Sequence, residues 1–118
     1  MSNVLRALVA IATLAGSCAA SAECAYPKAP QEIPDGKTAS EAAMIAAMAA
    51  FKQYNGDVTS YTACLEKETA DKVREAAGSG IVMHIKSLQE KKHNTVVSEL
   101  KEKANAFNEQ VRLFKARK

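Results

Sequence analysis

Few residues in this chain have the type and spacing to do chemistry. His84 and His93 are the only histidines, nine residues apart, so neither has a second His one helical turn away. Glu90 and His93 share a helix face at i,i+3, the motif of carboxylate-bridged metal bundles, but such sites need the motif on two helices. No second copy occurs, so no metal is expected, and a seam histidine bonded to a neighbour is the simpler role. Ser98-Glu99-Leu100-Lys101 has the Ser-x-x-Lys form of penicillin-binding enzymes; a lysine-rich helix produces it by chance, and the companion motifs are missing. Asp35, Glu66 and Glu68 are candidate acid–base groups, yet no cleft-forming pattern surrounds them to shift a proton affinity. There is no phosphate loop. The expectation is no enzyme, no cofactor and no small-molecule substrate.

Cysteine is the remaining reactive side chain, at Cys18, Cys24 and Cys64. Residues 1–22 read as a secretory signal peptide. Arg6 supplies the positive charge, Ala7 to Ala15 the short apolar stretch, and Ala20-Ser21-Ala22 the small-x-small cleavage box. The apolar run is too short to span a bilayer, which takes about 20 residues. Leu14-Ala15-Gly16-Ser17-Cys18 approaches a lipoprotein signal, but Leu14 stands one position too early, so cleavage after Ala22 is expected instead. That removes Cys18 and leaves a periplasmic or secreted chain of 96 residues from Glu23. In an oxidising compartment Cys24 and Cys64 are expected to pair within the chain, with a free pair or an intermolecular bridge as the alternatives.

The elements that position these residues follow from composition and period. At 118 residues there is one small domain at most. Aromatics are only 5% and Trp is absent, which argues against a thick globular core. The charge of +3 is mild and the signs alternate along the chain, which does not suggest a nucleic-acid binder.

Residues 23–37 form a proline-rich arm, with Pro27, Pro30 and Pro34 favouring extended backbone before a Pro-Asp-Gly turn. Thr38-Ala39-Ser40-Glu41 matches a capping box with Thr38 at the N-cap. Beyond it Met44, Met48, Phe51, Val58 and Leu65 recur on alternating 3 and 4 spacings. Asn55 and Thr62 fill seam slots, while Ile45, Tyr54 and Tyr61 widen the stripe. Asn55-Gly56-Asp57 is a turn signal, but the stripe keeps phase across it, which favours one helix over two. The stripe fades through Thr69, Val73 and Ala76, and Gly78-Ser79-Gly80 is expected to end the helix. Ile81 to Ile85 is β-branched and reads as a short extended piece or the start of the next helix. From there Glu90, His93, Val97, Leu100, Ala104, Phe107, Val111 and Phe114 hold a second stripe, and Arg112, Lys115, Arg117 and Lys118 suit a helix C-terminus.

The fold expected for residues 38–118 is all-α, an antiparallel two-helix hairpin of coiled-coil type, with the extended arm stapled to it by a disulfide. Fourteen extended steps from Cys24 to Thr38, at ~3.1 Å each, reach about 43 Å. Twenty-six helical steps from Thr38 to Cys64, at ~1.5 Å each, cover about 39 Å. An arm folded back along helix one therefore brings Cys24 beside Cys64, Tyr26 near Tyr61, and Ile33 over Ile45 and Met48. Val97, Leu100, Phe107, Val111 and Phe114 should face helix one or a second copy, and form the candidate interaction face.

Cys24, Pro27, Pro30, Ile33-Pro34-Asp35-Gly36, the Ala/Met-rich helix start, Tyr54, and Tyr61 ahead of Cys64-Leu65 form one block. His93-Asn94, Phe107-Asn108 and Val111-Arg112 form another. Together they resemble a family of uncharacterised small exported proteins of Gram-negative bacteria. The resemblance covers most of the chain after Ala22; it implies export and a helical build, and brings no activity, cofactor or catalytic residue. The expected function is that of a non-enzymatic envelope protein binding a protein partner or itself. The alternative is a peripheral binder of an anionic membrane surface through its basic C-terminal helix.

Overall fold

The computed structural model describes residues 23–117. The expected signal segment 1–22, with Cys18 and the Ala22 cleavage site, lies outside the described residues, as does Lys118. Two long helices follow the arm: α1 over Glu41–Glu75 and α2 over Ser79–Lys115, packed against each other as a hairpin. No strand occurs among the described residues.

α1 starts later than the capping-box reading has it. The N-cap is Ser40, whose hydroxyl accepts from the Ala43 amide at 3.1 Å. The Thr38 and Ala39 amides donate instead to the Asp35 carbonyl, at 3.1 and 2.8 Å. The Pro34-Asp35-Gly36 turn thus claims Thr38 before the helix can. α1 then runs unbroken through Asn55-Gly56-Asp57, because Tyr54 and Val58 on either side are both buried on one stripe and hold the helical phase. It ends at Glu75, before the Gly-Ser-Gly run. Gly78 is the N-cap of α2 at φ 120°, a left-handed backbone suited to glycine, and Ser79 and Gly80 already belong to α2. Ile81 to Ile85 is helical.

The buried stripe of α1 is Met44, Ala47, Phe51, Tyr54, Val58, Tyr61 and Leu65, a strict 3,4 alternation. Met44, Phe51, Val58 and Leu65, four of the seven expected seam residues, are therefore in place, and Tyr54 and Tyr61, expected to widen the stripe, are buried with them. The slots given to Met48, Asn55 and Thr62 belong to Ala47, Tyr54 and Tyr61, and Ile45 and Met48 are 59% and 57% exposed. From α2 the core receives Val96, fully buried, and Phe107, whose ring stacks on Phe51 at 4.7 Å between centroids. Glu90, expected in the seam, is exposed, while His93 is half-buried.

The arm is a third layer. It runs antiparallel to α1 and touches both helices. Pro27 and Gly36 are buried, and Ala29 and Ile33 pack on the core. Ile33 lies over a groove lined by Ala43, Ala46, Ala47 and Ala50 rather than over Ile45 and Met48. A side-chain carbon at Gly36 would collide with the Gln110 carbonyl and lie 2.9 Å from the Phe114 amide nitrogen, so only glycine lets the arm meet α2 this closely. The core occupies the part of the hairpin away from the inter-helix turn, where α1 starts and α2 ends. From Glu66 to Thr95, through the inter-helix turn, no residue is fully buried.

Candidate functional site

Cys24 and Cys64 form a disulfide with Cα atoms 5.7 Å apart. It anchors the N-terminal part of the arm, which needs an anchor: among the described residues no backbone–backbone hydrogen bond joins residues 23–34 to either helix. Next to the bridge, Tyr26 meets Tyr61 edge-on at 5.3 Å, and its hydroxyl donates to Glu99 Oε2 at 2.6 Å. Arm, α1 and α2 are thereby joined at one point. The bond to the Glu99 carboxylate holds the Tyr26 proton, pushing its pKa up to about 12. Burial raises Tyr54 and Tyr61 as well, with Glu99 adding to the first and Glu68 to the second.

The other end of the arm is fastened through α2. The Gly36 amide donates to Gln110 Oε1 at 2.9 Å. Arg117, past the end of α2, donates from Nη1 to the Ala39 carbonyl at 2.7 Å and lies over the Phe114 ring at 4.5 Å. The arm is thus a strap fixed at both ends.

The acid–base candidates are drawn into structural roles. Asp35 builds the turn, its carboxylate accepting from the Lys37 amide at 2.9 Å. Glu68 pairs with Lys72, which holds its carboxyl below the usual range, and its Oε2 lies 3.3 Å from Cys24 Sγ. That second approach is a contact only, since a bridged sulfur carries no proton. Glu66 is exposed, as are His84, Ser98 and Lys101. Among the described residues no three His, Cys, Asp or Glu side chains converge on one point.

The five residues of the expected interaction face turn inward. Phe107 is buried, and Val97, Leu100, Val111 and Phe114 pack against the same core. Two apolar surfaces stay open in their place. One is the outer face of α1 around Ile45 and Met48. The other is the turn end of the hairpin, where Ile81, Met83 and Leu88 are 53%, 72% and 46% exposed.

Sequence reasoning missed Val96, Ala47, and the contacts Tyr26–Glu99, Gly36–Gln110 and Arg117–Ala39. The last three join residues more than seventy positions apart and leave no local signature. The apolar run Ile81-Val82-Met83 was visible and was read only for its secondary structure. No family model, curated protein or solved structure matches the chain.

Proposed function

We propose that the chain is a non-enzymatic exported protein of the cell envelope, periplasmic or secreted, that works by binding a protein partner or a second copy of itself. The observation that carries this reading is the outer face of α1. From Ala42 to Phe51 there is no charged residue, and Ile45 and Met48 project into solvent flanked by the exposed Ala42 and Ala49. A charge-free helical face with two large apolar side chains and small neighbours suits close packing by another helix. Export is supported by the signal-like composition of residues 1–22 and by a disulfide that suits an oxidising compartment. The non-enzymatic reading draws support from Asp35 and Glu68, whose carboxylates are engaged within the fold.

The basic C-terminal helix is the weaker seat. Phe107, Val111 and Phe114 face the hairpin, Arg112 is paired with Glu109 and Arg117 is bonded to Ala39, so little apolar surface accompanies the charge. Crosslinking in intact cells, with sedimentation equilibrium over a wide concentration range, tests the proposal. A captured partner or a dimer lost in Ile45→Glu supports it. A strict monomer that crosslinks to the same proteins with and without Ile45→Glu sinks it.

A further inference from the structure

We infer that the turn end of the hairpin is an interfacial wedge that inserts into an anionic phospholipid surface. This is a different surface from the outer face of α1 and stands independently of the protein-binding reading.

Residues 76–89 contain no acid. Residues 42–56 of α1 lack acids as well, but the large side chains Met44, Phe51 and Tyr54 of that stretch are turned into the core. Within the window 76–89 stand Ile81, Val82, Met83, Ile85 and Leu88, with Lys86 among them. Lys92 lines the shallow groove beside Ile85 and Leu88, where Lys72 is paired with Glu68. Glu75 and Glu90 lie just outside the window, at its two edges. Apolar side chains flanked by Lys86 and Lys92 complement a negatively charged lipid surface, where apolar burial and cation attraction add.

Geometry favours lipid over a protein partner. Ile81, Val82 and Met83 are consecutive in a helix, so their side chains leave the axis about 100° apart. Large apolar groups therefore point to three sides of the first turn of α2. A partner helix covers one stripe of a helix and leaves the other sides wet. A fluid apolar layer entered end-on covers all of them. The hairpin presents this turn at its extremity, and no residue between Glu66 and Thr95 is fully buried, so the end can enter an interface without opening the core. No helix among the described residues is long and apolar enough to cross a membrane, which limits the contact to the interface.

The test uses the processed chain beginning at Glu23, the folded unit described above, and vesicles of phosphatidylcholine with or without phosphatidylglycerol. The chain has no Trp, so Met83→Trp provides a single reporter and Asn105→Trp, at an exposed position of α2 away from both surfaces, its control. The wedge predicts co-sedimentation with the anionic vesicles and a blue shift with quencher shielding for Trp at 83 but not at 105. The double variant Ile81→Ser/Met83→Ser, with helicity checked by circular dichroism, should bind more weakly by roughly tenfold or more. Lys86→Gln should bind more weakly too, with a flatter salt dependence. Absence of co-sedimentation overturns the inference. So does binding that survives Ile81→Ser/Met83→Ser, which would place the contact on the C-terminal cations. Shielding of Trp at 83 that grows with protein concentration in the absence of lipid would assign the end to a second copy and overturn it as well.

Discussion

Tyr54 shows how burial and bonding part company at a single side chain. Its residue is 1% exposed, yet its hydroxyl has no hydrogen-bond partner among the described residues. Desolvating a hydroxyl without a partner costs about 1–3 kcal/mol. Tyr54→Phe should therefore leave stability unchanged or raise it by up to about 1 kcal/mol, read from the urea midpoint. Phe107→Ala removes a ring stacked on Phe51 and should cost about 3–5 kcal/mol by the same measurement. Tyr26 gives the pH prediction. Its folded pKa is raised from 10.0 to about 12, so its contribution to stability is fully present below pH 10 and fades as the pH rises through about 12. Glu99→Gln should bring that titration back towards the ordinary tyrosine range, and tyrosinate absorbance reads it directly. An unmoved titration would mean that Glu99 is not what holds the Tyr26 proton.

α1 makes two contradictory-looking signals compatible. Asn55-Gly56 asks for a turn, and the helix ignores it because Tyr54 and Val58 must both stay buried. A Cβ at Gly56 would meet nothing within 4 Å, so Gly56→Ala should stabilise α1 by roughly 0.5–1 kcal/mol, measured by thermal unfolding. Gly36→Ala should do the opposite, costing at least about 1–3 kcal/mol, because the arm would be pushed off the backbone of α2. The seam shows what the sequence carried and what it did not. Met44, Phe51, Val58 and Leu65 were legible from period and apolarity together. Of the intervening slots, Tyr54 and Tyr61 were legible as residues that widen the stripe. Ala47 was not, because apolarity ranks Met48 above it; Ala47 lies where the arm meets α1 and, with Ala43, Ala46 and Ala50, lines the groove that Ile33 borders.

For the whole molecule, the two-helix hairpin and the reach of the arm were legible because both follow from chain lengths and repeat distances. The contacts that fasten the arm to α2 were not, since they depend on how three layers settle together. The same layering makes the disulfide important. It closes a loop across a sequence separation of 40, worth on the order of 3–4 kcal/mol in the chain-entropy view. Cys64→Ser should therefore lower the stability by about that amount, and it should also loosen residues 23–34, which have no backbone bonds to the helices to fall back on. Limited proteolysis would show tryptic cleavage at the exposed Lys28 of the arm ahead of any cut in α1. Equal cleavage of the arm with and without the bridge would mean that packing alone seats it.

The fastening of Gly36 and Ala39 by Gln110 and Arg117 has a bearing on how the protein is made. Every residue of the covalent loop precedes α2 in the chain, so under the export proposed above it is the first part to reach an oxidising compartment. The staple can close while the surface it helps to build is still incomplete. Phe107, Gln110, Phe114 and Arg117, which finish the core and clamp the start of α1, follow more than forty residues after Cys64. A chain that emerges in this order holds its ring early and gains its lid late. A version stopped after Asn105 should still form the Cys24–Cys64 bond while failing to acquire cooperative unfolding.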